Sequence, residues 1–198
     1  MASRDVGDGV AQPQLSAQER ILETSYDLFS RDGVRAVGID RIIAEAKIAK
    51  ATLYRHFASK EDLVLAFLDL REQRWTREWL EAETERLAPT PSEHVLALFD
   101  ALDEWFHRPD YEGCPFIKTL LEIREPDSPI HRAAEQHLGV IRAKLERYAE
   151  QAGARDPEEM SYQLQILMMG AIVSAGRGDP EAACRARVFA RLLIDSSS

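Results

Sequence analysis

Apolar residues recur at helical spacing along most of the chain, and no alternating strand pattern of useful length interrupts them. Ser16-Ala17-Gln18-Glu19 reads as a capping box ahead of Ile21, Leu28 and Phe29, with Ser25 and Tyr26 between them. Ser59 offers a second cap, with Glu61 and Asp62 in the first turn. Four starts pair a capping residue with proline at the first helical position: Thr90-Pro91, Ser128-Pro129, Asp156-Pro157 and Asp179-Pro180. The pattern predicts an all-α chain of nine helices, at about 16–32, 39–46, 50–57, 60–87, 91–107, 115–124, 129–152, 157–175 and 180–195. The first three are short and close together. The division this suggests is a disordered start over 1–15, a small domain over 16–62 and a larger one over 63–195, with Ser196–Ser198 as a loose tail.

The larger part carries three apolar stripes. Trp75 and Trp79 share a face with Leu68; Val95, Leu98, Phe99, Leu102 and Phe106 form the second; Ala134, Leu138, Ile141, Leu145 and Tyr148 form the third. Such stripes are mostly core, but ligand sites in helical bundles are lined the same way. The expected lining is Trp75, Trp79, Phe99, Phe106, Phe116 and Met168. Residues 164–175, LQILMMGAIVSA, are apolar almost all round, so that helix needs cover on every side. Gly170, Ala171, Ser174 and Ala175, with Ala183, Ala186, Phe189, Ala190 and Leu193 on the next helix, make a candidate four-helix seam between two copies of the chain; a helix buried within one chain is the simpler alternative.

The net charge of −9 argues at first against nucleic acid. Its distribution reverses that: residues 16–60 hold eight Lys/Arg against six Asp/Glu, whereas residues 61–198 hold sixteen against twenty-six. One locally basic segment sits on an acidic body, as suits a protein that meets DNA through that segment alone. Two cysteines, Cys114 and Cys184, make no disulfide framework or metal knuckle. The first residues do not read as a signal peptide, and no apolar run reaches the length of a membrane span, so a cytoplasmic protein is expected.

Within the basic segment, residues 38–57 (GIDRIIAEAKIAKATLYRHF) read as a short amphipathic helix, a turn and a second short helix, the helix-turn-helix pattern. On a wheel of 100° per residue, Leu53 and Phe57 lie together and face the core, while Ala51 and Arg55 lie opposite, flanked by Thr52 and Tyr54. That outer face offers a guanidinium, a hydroxyl, a phenol and a methyl to base edges in a major groove. Lys50, His56 and Lys60 are placed to meet phosphates.

From about Glu19 to Leu65 the chain resembles the DNA-binding domain of the TetR family of bacterial regulators, most densely in GIDRIIAEA, KATLYRHF and SKEDLV. Gly113-Cys114-Pro115-Phe116 also resembles a segment of one branch of that family. The resemblance implies a dimer clasped by its last two helices, with one recognition helix per subunit in successive major grooves of a palindrome. It implies base or backbone contacts for Lys50, Ala51 and Thr52, phosphate contacts for Tyr54, His56 and Lys60, and a contact from Arg41. It also implies a repressor that leaves its operator when a small apolar or aromatic effector binds. Three positions depart from the family pattern: Lys47 stands in the turn where glycine is usual, Ala49 where serine caps the recognition helix, and Gly38 where threonine is frequent. A left-handed Lys47 costs on the order of 1 kcal/mol and a missing cap about 0.5–2 kcal/mol.

Other functions find little in the chain. GxGxxG, phosphate-loop, HExxH and GxSxG motifs do not occur, so neither an enzyme nor a bound cofactor is expected. His107, Cys114, His131 and His137 lack metal-ligand spacing. A protein–protein adaptor that uses the helix-turn-helix as scaffold is the remaining alternative.

Overall fold

The computed structural model describes residues 15–197, so all of the expected disordered start but Leu15 lies outside the described residues. All regular secondary structure among them is helical. Helices α1 (Ala17–Asp32), α2 (Ile39–Ala46) and α3 (Lys50–His56) form the first group. Next, α4 (Lys60–Arg71) runs without a break through a π-helical stretch, Glu72–Leu80, into α5 (Glu81–Leu87). A 3-10 turn at Pro91–Glu93 leads into α6 (His94–Phe106), followed by α7 (Pro115–Glu122), α8 (Pro129–Gln151), α9 (Pro157–Gly176) and α10 (Ala182–Ser197). With the continuous pieces joined, nine rods stand among the described residues, in the predicted order.

The caps explain several boundaries. Ser16 and Glu19 exchange both bonds of the capping box, at 3.2 Å and 2.7 Å, and Ser59 accepts from the Asp62 N–H at 3.0 Å. Of the four cap-plus-proline starts, Asp156 caps as expected, accepting from Glu159 N–H at 3.0 Å. Thr90 and Ser128 make no side-chain cap bond; there proline's fixed φ and missing N–H mark the start unaided. The last helix begins at Ala182, two residues later than expected, because Asp179 turns its carboxylate to Glu181 N–H and to the Arg185 guanidinium. It continues to Ser197, where Ser197 C=O accepts from Arg155 N–H, so the expected loose tail is helical as far as it is described.

The π-helical stretch is a departure from the straight helix predicted over 60–87. Its side chains show the wider period: Gln73 bonds Glu78 and Arg77 bonds Glu72, each five residues apart. Packing follows the chain: α1 rests on α2, α3 and α4; α8 lies against α4, α7 and α9; α10 packs on both α9 and α6. The apolar stripes of α6 and α8 fill the body's core, with Leu98, Phe99, Leu102, Ile141, Leu145 and Tyr148 at most 2% exposed.

Candidate nucleic-acid interface and effector cleft

The helix-turn-helix is held by one small core. Ile21, Leu28, Phe29, Val37, Ile42, Leu53, Phe57 and Leu63 close it, so Leu53 and Phe57 point inward as the wheel requires. Between α2 and α3 the chain turns at Lys47, which is left-handed at φ 52°, ψ 52°. It terminates α2 as a glycine would: Lys47 N–H donates to Ala44 C=O and Ile48 N–H to Ile43 C=O. Ala49 offers no side-chain cap to α3. Lys47 therefore takes the left-handed position without glycine, and α3 starts without a side-chain cap.

Opposite this core, α3 leaves Lys50, Ala51, Tyr54 and Arg55 exposed, with Thr52 and His56 half-buried. Tyr54 is 45% exposed, and Arg55 has no ion-pair partner among the described residues. Lys50 stands 3.7 Å from Asp40. Arg41 is engaged, at 2.7 Å from Asp32 and 2.9 Å from Glu45, so reaching a phosphate means exchanging those carboxylates. Lys60 is half-buried, and burial lowers its pKa against the opposing pull of Glu122.

Three bonds tie this unit to α7 of the body, and no local pattern along the chain points to them. Lys118 on α7 donates to Ser30 C=O at the end of α1 (2.8 Å). One turn later Glu122 accepts from Arg35 N–H at 2.7 Å, while Arg35 Nη1 donates to Glu122 C=O at 3.0 Å. Beside them Gly33 adopts φ +87°, and a Cβ there would lie 2.0 Å from Glu122 Oε1.

Above that tie, α1, the end of α4, the π-helical stretch and the segment after α6 enclose a cleft of about 430 Å³. Trp75 and Trp79 line it as predicted, joined by Trp105, which sequence reasoning missed; ring centroids are 5.6 Å apart for the first two and 5.0 Å for Trp75–Trp105. Arg71 lies over Trp75 and Trp105 and donates to Tyr26 Oη at 2.9 Å. The four-residue step from Trp75 to Trp79 was legible; the approach of Arg71 and of Trp105 was not. The other expected lining residues lie elsewhere. Phe99, Phe116 and Met168 are enclosed at 0% exposure, because an apolar stripe fills a core and lines a cavity with the same residues. Phe106 borders a small depression beside His107, Gly178 and Pro180.

The candidate seam also needs correction. Ala171, Ala183, Ala186 and Ala190 are at most 7% exposed within a single chain, where α9 and α10 pack on each other and α10 on α6. Small residues there permit close helix approach inside the chain. The outward face is bulkier: Ile166 (69% exposed), Phe189 (58%) and Leu192 (56%) border, with Leu167 and Leu193, an open apolar groove of about 560 Å³. Gly170 is exposed nearby, and Ser174 and Ala175 are half-buried.

Residues 21–67 match the model of the bacterial regulatory proteins of the tetR family, and residues 91–189, half of the chain, match the tetracyclin repressor-like C-terminal domain. The chain belongs to the TetR family. The crystal structure of a TetR-family transcriptional regulator from Streptomyces coelicolor is similar over 92% of this chain and 90% of that one, at 31% identity and a TM-score of 0.84. The regulator QacR of Staphylococcus aureus is 31% identical over 65 residues, a third of this chain (33%) and 35% of its own length. The regulator YjdC of Escherichia coli is 22% identical over 85% of this chain and 90% of its own. As a TetR-family member the protein is a DNA-binding transcriptional regulator, and among the described residues no helix is long and apolar enough to cross a membrane.

Proposed function

We propose that this TetR-family regulator is a cytoplasmic repressor that binds a palindromic operator as a homodimer and leaves it when a small aromatic effector enters the tryptophan cleft. The observation that carries the reading is the position of the cleft. Its walls include Tyr26, Asp27, Ser30 and Arg31 of α1, a helix of the DNA-binding unit, and Trp105 and Arg108 from the body. A molecule seated there shifts one against the other. Two recognition helices reach successive major grooves only when their centres are about 34–36 Å apart, so a small tilt is enough to mismatch them. The coupling is limited to the effector's differential affinity for the two spacings, typically 1–3 kcal/mol, and is reciprocal.

In this reading Arg55, Tyr54, Thr52 and Ala51 read bases, while Lys50, His56, Lys60 and, after exchanging its carboxylates, Arg41 hold phosphates. The dimer forms through Ile166, Phe189 and Leu192, a face continuous from α9 to α10. Fluorescence anisotropy with an operator fragment at two salt concentrations tests the DNA role. Affinity should fall steeply with salt. Lys60→Ala should weaken all sequences alike, and a change in base preference from that variant would contradict its phosphate role.

A further inference from the structure

The lining of the tryptophan cleft is not the apolar one that the stripes suggested; four arginines border it. Three are matched by carboxylates: Arg31 with Asp32 at 3.2 Å, Arg74 with Glu23 at 2.8 Å, and Arg108 with Asp110 at 2.7 Å. Arg71 is not. It is half-buried, fixed by the Tyr26 hydroxyl and two indole faces, and has no ion-pair partner among the described residues. Two more lining residues carry unused hydrogen-bonding atoms. Trp75 Nε1 and Ser30 Oγ are buried and make no hydrogen bond among the described residues, on side chains whose residues are 6% and 4% exposed. Those two atoms are closed off from the cavity, which leaves the unpaired Arg71 guanidinium as its free donor. Beside it lie the flat rings of Trp75, Trp79 and Trp105.

We propose that the cleft takes a planar aromatic molecule bearing one carboxylate or comparable anion, its ring against the indoles and its charge on Arg71. Three acids also border the cleft. Asp110 is held by Arg108 and Asp27 is exposed to water. Glu112 is half-buried, and burial raises its pKa, which makes it the acid most ready to be neutral. A cationic ligand would face four guanidiniums and compete with Arg71 for the indole faces. An aromatic acid completes Arg71 with a charge-assisted, geometrically matched bond.

This assignment rests on the effector reading above but is measured without DNA. All three tryptophans of the chain are in this cluster, so tryptophan emission reports on the cleft alone. The full chain is titrated by calorimetry and tryptophan quenching with naphthoate, naphthamide and naphthylmethylammonium, three probes that share a ring and differ in charge. Naphthoate should bind about tenfold more tightly than the amide. Arg71→Gln should abolish that difference and leave the amide unchanged, whereas Arg71→Lys should keep part of it; thermal melts check that both variants fold. Preference for the ammonium, equal binding of all three, or no binding of any would overturn the proposal. So would an Arg71→Gln variant that loses amide and acid alike. If naphthoate binds as predicted but operator affinity does not move, the effector reading fails and the ligand class stands.

Discussion

Gly33→Ala tests how firmly the DNA-binding unit is fastened to the body. Gly33 sits at φ +87°, ψ 158°, a region that residues with a Cβ almost never occupy, and forcing alanine there costs about 1–3 kcal/mol. The new methyl would also stand 2.0 Å from Glu122 Oε1 and 2.9 Å from its Cδ. The carboxylate must swing away, releasing the Arg35 N–H it holds at 2.7 Å, a loss of about 1 kcal/mol at this exposed site. Together these give about 2–4 kcal/mol, read from urea unfolding followed by far-UV circular dichroism. Glu122→Ala separates the two parts. Alone it should cost about 1 kcal/mol, and in its background Gly33→Ala should cost only the backbone part, leaving a coupling of about 1 kcal/mol. A Gly33→Ala variant as stable as the wild type would refute the backbone argument, and strict additivity would refute the clash.

Lys47→Gly should stabilise the chain by about 1 kcal/mol in the same assay, because the left-handed turn at φ 52° then carries no Cβ; a loss of stability would show that the lysine side chain has an unrecognised role. Phe189→Glu should convert the dimer to monomers in sedimentation velocity by burying unpaired carboxylates at the seam, and an unchanged dimer would move the interface elsewhere. His137 is stacked on Phe116, and burial, helped by the Arg77 charge, lowers its pKa despite Asp69 at 3.3 Å and the charge of Glu72. The unfolded chain therefore takes up the proton first, so stability should fall as pH drops through 6.5, and His137→Phe should flatten that limb; an identical pH profile for the variant would exclude His137 as its source.

The reading units of this fold were legible because their signals are local. A capping box, an amphipathic repeat and the inward pair Leu53 and Phe57 depend on residues within two turns of one another, and each lies where the sequence puts it. The cleft was legible by half. Trp75 and Trp79 share a helix face, but Trp105, Tyr26 and Arg108 arrive from other elements, and periodicity carries no information on such meetings. The same limit misled the seam: alanines at helical spacing signal close approach without saying whether the neighbouring helix is the chain's own or another's. Nor could the tie from Lys118 and Glu122 to α1 and the turn after it be foreseen, since it joins residues 87 and 88 positions apart through main-chain atoms.

In the proposed function two copies of α3 read a two-fold symmetric DNA site. Selection of binding sequences from a random duplex library, followed by hydroxyl-radical footprinting of the enriched site, tests it most directly. The enriched site should be an inverted repeat with protected half-sites on one face of the duplex, about one helical turn apart, and Arg55→Ala should lose about 1–3 kcal/mol in affinity for it. Failure to enrich any sequence, an enriched site without two-fold symmetry, or full affinity in the Arg55→Ala variant would contradict it.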